Sequence, residues 1–382
     1  MSSRVRNHEV KSGDRPRIGV FVSFSGTGGV ERMVLNLCEG LTALGCRVDL
    51  LLVKARSKHL EQLPALVHIR KLKAEHTLTS LPALVRYLKT ERPDALLAAK
   101  DRANQIAVLA KKTAGVPTRV VLRMGTNVSA ALAGKNRWQK LFWYLPMRLI
   151  YRSADAVVAV SQGVARDMAR ITGRPASDIW IIRNPVVTPR IFRLACEPAP
   201  HPWLVNGGEP VIVGIGRLTR QKDFPTLIRA FAAVRKKLPC RLIILGEGKD
   251  RDDLEHLAKR LSQSEQVAMP GFVENPYAYL KRAAMFVLSS AWEGSPNALT
   301  EALALGVPVV ATNCPSGPRE ILKDGTIGRL VPVGDPDALA EAILATLSSP
   351  PDETLLKSAV REYTAKFSSL RYLDLLLGRT VP

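Results

Sequence analysis

MFVLSSAWEGSPNALTEALALGVPVVAT, residues 285–312, sets an apolar run of strand length, a segment of helical period and a second apolar run in direct succession. Ser295 is placed to cap a helix, Pro296 suits its first turn, and Gly306 ends it after about ten residues. A strand, a helix and a strand in that order form a right-handed crossover between parallel strands. A capping box would require Glu or Gln three residues after Ser295, but position 298 is alanine. The amides of Asn297, Ala298 and Leu299 are therefore left unspent. A helix start with free donors, at the carboxyl end of a parallel strand, binds anions such as phosphate. Glu293 precedes this start on the loop and Glu301 follows it by one and a half turns, so the two flank the anion position as acceptors for hydroxyl groups.

The same alternation runs through the rest of the chain. RIGVFVS, RVDLLLV, DALLAA, RVVLRM and DAVVAVS are separated by amphipathic segments in the first half, and PVIVGIGRL, CRLIILG, MFVLSS and VPVVAT by others in the second. This predicts an α/β fold of two doubly wound, Rossmann-like domains facing each other across a cleft. Residues 184–210 hold six prolines and no clear period, and read as the connection. The expected division is a disordered tail over 1–16, a first domain over 17–185, a linker over 186–210, a second domain over 211–365, and a C-terminal helix over 366–382 that crosses back to the first.

Composition narrows the function. At 382 residues the chain exceeds one ordinary core, and 46% apolar with 23% charged residues is globular rather than disordered. The net charge of +21 is uneven: residues 1–190 carry 32 Lys/Arg against 13 Asp/Glu, and residues 191–382 carry 23 against 21. A first domain so basic points to an anionic surface as partner, nucleic acid or acidic lipid. The five cysteines form no C-x-x-C pair and predict reduced thiols. Residues 1–17 hold no apolar signal segment and no run of about 18 apolar residues occurs, which predicts a cytoplasmic protein. The six histidines show no ligand spacing, and no metal is expected. Asp335-x-Asp337 resembles a metal pair, but its place before an apolar-periodic segment predicts a helix cap.

Other strand ends carry complementary groups. After the strand ending at Gly216 come Arg217, Arg220 and Lys222, cations suited to a diphosphate leaving group. Gly246, Glu247 and Gly248 follow the next strand and let backbone approach a ligand. Gly26, Gly28 and Gly29 lie between the first strand and its helix, in neither the Walker A nor the dinucleotide spacing.

Together, GTGGVERMVLNL, VSQGVARDM, IRNPVV, GRLTRQKDFPTLIRAF, LGEGKDRDDLE, CPSGPREIL and the stretch quoted first resemble the family-four, retaining glycosyltransferases of the GT-B fold, over about residues 17–375. The resemblance implies a nucleotide-sugar, with UDP-sugars favoured, bound mainly by the second domain. Glu301 would hold ribose hydroxyls, Glu293 would contact the donor sugar, and Arg217 and Lys222 would stabilise the departing diphosphate. Gly294, Ser295, Pro296, Asn297 and Ala298 would touch sugar and phosphates. Gly271, Phe272 and Val273 would lie by the nucleobase, with Gly216 and Glu247 nearby, and Gly28 and Gly29 would close on the diphosphate. The resemblance implies retention of anomeric configuration, no divalent metal and no cofactor. The sequence departs from the family where a histidine is usual in the first domain; Arg123 or Asn127 stands there as a sugar or acceptor contact.

The segment 133–155 combines Lys135, Arg137, Lys140 and Arg148 with Trp138 and Trp143, and within it no acid precedes Asp155. Such a segment suits the face of an anionic membrane, and Pro146 is a candidate break in its helix. The expected activity is transfer of a sugar to a glycan acceptor, lipid-linked, in the building of bacterial cell-surface polysaccharide such as lipopolysaccharide, exopolysaccharide or capsule, by an enzyme peripheral to the inner face of the cytoplasmic membrane. A sugar-nucleotide epimerase on the same fold, a phosphorylase and a nucleic-acid-binding protein are the rival readings. No pyridoxal lysine site and no nucleic-acid module is visible for the last two.

Overall fold

The computed structural model describes residues 15–24, 28–55, 66–72, 74–198, 201–205 and 208–379. The expected tail up to residue 14, Gly26, four positions of the connection and residues 380–382 lie outside the described residues. The first sheet contains β1 (Arg17–Phe24), β2 (Arg47–Ala55), β3 (Val67–Lys71), β4 (Ala95–Ala99), β5 (Arg119–Met124), β6 (Ala156–Ala159) and β7 (Ile179–Ile181). Its order is β3-β2-β1-β4-β5-β6-β7, parallel throughout. The second contains β8 (Val211–Ile215), β9 (Arg241–Leu245), β10 (Val267–Gly271), β11 (Met285–Leu288), β12 (Val309–Thr312) and β13 (Arg329–Val331), ordered β10-β9-β8-β11-β12-β13 and also parallel.

Alternation along each strand divides its side chains between two cores. On β4, Ala95, Leu97 and Ala99 join one cluster while Leu96 and Ala98 join the other. On β9, Leu242 and Ile244 face one way and Ile243 and Leu245 the other. Burial on both faces is why these strands are continuous apolar runs. Strand order reverses between β1 and β4 and between β8 and β11. Ligand crevices of doubly wound sheets open at such switch points, outside the carboxyl ends of the strands.

Three local expectations are refined. Pro296, with extended backbone at φ −72° and ψ 106°, occupies the cap of helix Asn297–Ala304 in place of Ser295, and no side chain caps it. Pro146 sits inside an unbroken helix, Arg137–Tyr151, that starts with a capping box of Asn136 and Gln139. The lost hydrogen bond leaves its orphan carbonyl at exposed Phe142, where water can satisfy it. The proline-rich connection is packed: Val186, Val187 and Ile191 are buried, and helix Pro189–Ala195 joins the second domain's core through Ile191 and Ala195. From there the C-terminal helix Ala365–Leu376 returns to the first domain, placing Tyr372, Leu375 and Leu376 in the β1 core, with Leu375 O accepting from Arg119 Nε at 3.0 Å.

Candidate active site

The loops after β8 and β11 are joined at the second sheet's switch point. Ala291 N donates to Gln221 O at 2.8 Å, Gln221 Nε2 to Trp292 O at 3.0 Å, and Ser289 Oγ to Lys222 O at 2.8 Å. This staple brings Lys222 Nζ within 2.5 Å of Glu293 Oε1, which also accepts from Ser290 Oγ at 2.8 Å. Glu293 is only 6% exposed, so the pair is nearly out of water and the carboxylate oxygen is bonded to both donors. Its Oε2 has no partner among the described residues. Arg217 is exposed on the same loop and equally unpaired among them.

Helix Asn297–Ala304 begins directly beyond Glu293, and its first amides are free of any side-chain cap. Glu301, on its second turn, is 5% exposed. Its Oε1 accepts from Tyr277 OH at 3.2 Å and from Arg32 Nη1 at 3.3 Å, while Arg32 Nη1 also donates to Tyr277 OH at 2.9 Å. Arg32 comes from the first domain, one turn into helix Gly29–Ala43. Burial opposes its charge, but Glu301 and Tyr277 outweigh that and raise its pKa. Each glutamate thus spends one oxygen on protein donors and keeps one.

The glycines have specific jobs. A Cβ on Gly246, at φ +140°, would lie 1.9 Å from Gly216 O, and one on Gly248 would lie 2.2 Å from Leu218 O. These two glycines admit the β8 loop, a tighter role than the ligand approach their spacing predicts. Glu247 is exposed and paired with Arg251 at 2.7 Å, and one of its oxygens lies over Gly271, which has φ +90°. Phe272 is 42% exposed beside it, and Val273 packs on the core. Gly294 would meet Gly125 O at 2.0 Å, so first-domain backbone touches the β11 loop there.

The first domain closes from the other side. Gly28 precedes helix Gly29–Ala43, and Gly29 O accepts from Asn297 Nδ2 at 3.0 Å. Both candidates for the missing histidine are bonded within the protein. Asn127 caps helix Val128–Ala131 through Ala130 N at 2.9 Å and donates to Ser316 Oγ of the second domain at 3.0 Å. Arg123 is 2% exposed and bonded to Asn184 Oδ1 at 2.7 Å. Glu320 accepts from Gln162 N, Gly163 N and Arg183 Nη1 at 2.8, 2.9 and 2.7 Å, a further link between domains. Arg32, Tyr277, Asn184 and Glu320 escaped sequence reasoning. Three of them lie in the quoted motifs GTGGVERMVLNL, IRNPVV and CPSGPREIL, which was the available signal.

Asp335 caps helix Pro336–Ser348 by accepting from Ala338 N at 2.9 Å. Among the described residues no three His, Cys, Asp or Glu side chains converge as metal ligands, and no helix is long and apolar enough to cross a membrane. Helix Arg137–Tyr151 buries Met147 and Tyr151 but exposes Trp138 by 77%, Phe142 by 78% and Leu149 by 64%, with Leu141 and Leu145 between them. Lys135, Arg137 and Arg148 are exposed beside this apolar stripe, while Lys140 and Trp143 are partly covered. The helix starts close to the β8 loop, since a Cβ on Gly134 would lie 3.8 Å from Arg220 Nη1.

Comparison with known proteins gives the family and the fold. Residues 198–364 match the family described as glycosyl transferases group 1, and residues 28–185 match the glycosyl transferase 4-like domain. The chain is 30% identical over 352 residues to the N-acetylgalactosamine-N,N'-diacetylbacillosaminyl-diphospho-undecaprenol 4-alpha-N-acetylgalactosaminyltransferase of Campylobacter jejuni, covering 90% of this chain and 92% of that one. It is 27% identical over 368 residues to the lipopolysaccharide core biosynthesis glycosyltransferase LpsE of Rhizobium meliloti, covering 93% and 98%. Among solved structures, sucrose-phosphate synthase from Thermosynechococcus elongatus superposes with a TM-score of 0.79 at 18% identity, covering 94% of this chain and 98% of that one. Anabaena HepE, solved with UDP and glucose, gives 0.75 at 18% identity, covering 95% and 100%. These structures share the two-domain GT-B fold.

Proposed function

The chain belongs to the group 1 glycosyltransferases and is a glycosyltransferase, and we propose that it moves a sugar from a UDP-sugar to a lipid-linked glycan at the surface of an anionic membrane. One observation carries the donor half. Lys222, Glu293, Glu301 and an uncapped helix start converge at the β8/β11 switch point, opposite the first domain's glycine turn. The diphosphate lies on the amides of residues 297–299, with Lys222 and Arg217 neutralising charge as it departs. Glu293 accepts from the sugar and Glu301 from the ribose through the oxygens they keep. The bond from the anomeric carbon to the phosphate oxygen breaks as the acceptor hydroxyl oxygen bonds that carbon. The hydroxyl proton passes to the departing phosphate on the same face, with retention of configuration and without a metal. UDP in HepE and the names of the curated relatives support this reading over epimerisation.

Melting curves with UDP, GDP and ADP test the donor. A nucleotide at 100 times its Kd adds about 2.7 kcal/mol of stability. UDP alone should shift the transition, and UDP release from UDP-glucose or UDP-N-acetylgalactosamine with a lipid-diphosphate glycan should persist in EDTA. A shift by GDP alone would reassign the base, and no shift by any nucleotide would sink the donor site.

The acceptor half rests on helix Arg137–Tyr151, whose exposed apolar stripe and flanking cations match an acidic bilayer, and on its start beside Arg220. The C. jejuni relative's name includes a diphospho-undecaprenol acceptor. At about 1 kcal/mol per cation near such a surface, Lys135→Glu, Arg137→Glu and Lys140→Glu together should cut sedimentation with phosphatidylglycerol vesicles on the order of 100-fold. Unchanged sedimentation would remove the membrane from the reading.

A further inference from the structure

Arg123 is sealed inside the first domain at the end of β5, 2% exposed, and no carboxylate among the described residues pairs with it. A guanidinium so placed is costly, and burial lowers its pKa with only Tyr372 opposing. What it does is give direction to a chain of amides. A guanidinium has donors and no acceptor, so Asn184 must turn Oδ1 towards it, at 2.7 Å. Asn184 Nδ2 is then left to donate to Asn297 Oδ1, at 2.8 Å. With its oxygen taken, Asn297 turns Nδ2 to Gly29 O, at 3.0 Å. An amide alone can face either way, but here the cation at one end decides both.

The chain leaves the first domain at Asn184, enters the second at Asn297, and returns to the first at Gly29. Asn297 is also the first residue of the helix whose amides form the anion position. Small residues line the route: a Cβ on Gly125 would lie 2.8 Å from Arg123 Nη1, and one on Gly29 would lie 3.1 Å from Asn297 Nδ2.

We propose that Arg123 and Asn184 are positioning residues for glycosyl transfer, setting through Asn297 the seat of the Gly28–Gly29 turn over the helix start so that both domains grip the diphosphate together. This rests on the donor reading above. A purely structural role, satisfying the buried cation, makes a different prediction, and Asn184→Asp separates the two. The substitution is isosteric, keeps the acceptor for Arg123 and adds the missing carboxylate. A structural role therefore leaves melting temperature and turnover equal or higher. A positioning role requires the chain to break between the domains, since a carboxylate oxygen either meets Asn297 Oδ1 or flips that amide so that Oδ1 meets Gly29 O, and in neither case can the pair donate.

The expected result is an unchanged or raised melting temperature and a UDP Kd close to wild type by calorimetry. Turnover of UDP-N-acetylgalactosamine or UDP-glucose, whichever wild type consumes, should fall roughly 10- to 100-fold in kcat. Asn297→Ala cuts the same chain without disturbing the buried guanidinium and should also lower kcat. The double variant should lose no more than the worse single one. Wild-type kcat in Asn184→Asp, or losses that multiply in the double variant, would overturn the proposal. If Asn184→Asp fails to fold, Asn297→Ala decides by whether kcat falls with UDP binding retained. A wild-type protein that binds no UDP would overturn the donor reading instead.

Discussion

Glu293→Ala is expected to lower kcat on the order of 1000-fold while UDP binds at least as tightly as to wild type. The two effects have opposite signs because of where the carboxylate sits. Its Oε1 shares Lys222 Nζ at 2.5 Å, so part of that cation's field is spent inside the protein. Without the glutamate, the whole charge of Lys222 is left for the diphosphate of the proposed donor, and ground-state binding should not suffer. On the proposed donor reading the acceptor for the sugar is gone, however, and with it the interaction that strengthens as positive charge develops at the anomeric carbon. Lys222→Ala should behave in the contrary way. It strips the cation and leaves a carboxylate, 8% exposed as a side chain, without its charged partner. Loss of one partner from such a buried pair costs about 3–5 kcal/mol, so stability and UDP affinity should fall together. Steady-state kinetics, calorimetry with UDP and melting curves on the two variants decide this. Wild-type turnover in Glu293→Ala would remove the residue from the chemistry.

How the site came to be partly readable in the sequence follows from the range of its interactions. Glu293, the helix start and Glu301 lie within one crossover, and local rules of capping and period place them. The same rules located Asp335 as a cap and the β8 loop as the source of Lys222. Small errors there were those of local competition, as when Pro296 took the cap from Ser295. Arg32, Asn184 and Glu320 were out of reach for another reason. Arg32 meets Tyr277 across 245 positions of sequence and Glu301 across 269. Such pairs depend on how two domains face each other, and no periodicity encodes that. Arg123 shows the same limit. Its place at the expected histidine position suggested a ligand contact, whereas its burial and the polarity of its hydrogen bond direct it inward, to Asn184.

Glu301→Ala is expected to abolish most of UDP's stabilising effect, and Arg32→Ala only part of it. In the proposed donor site, two charge-assisted hydrogen bonds from vicinal ribose hydroxyls to the unclaimed Oε2 would be worth about 1.5–3 kcal/mol each, so their loss should weaken UDP by about 100-fold or more. At a concentration that gives wild type about 2.7 kcal/mol of added stability, a 100-fold weaker site gives only about 0.4 kcal/mol, a shift lost in the width of the transition. Arg32→Ala leaves that oxygen in place and leaves Glu301 bonded to Tyr277 at 3.2 Å. What it removes is the first domain's hold on the nucleotide side of the cleft, so kcat should fall further than UDP affinity does. The contrast between the variants carries the argument. If Glu301 served only to clasp Arg32 across the domains, deleting either partner would break the same contact, and the two variants would lose UDP stabilisation equally. A larger loss in Glu301→Ala than in Arg32→Ala, with the two variants melting alike in the absence of nucleotide, is the result expected if the glutamate's free oxygen serves the nucleotide as proposed.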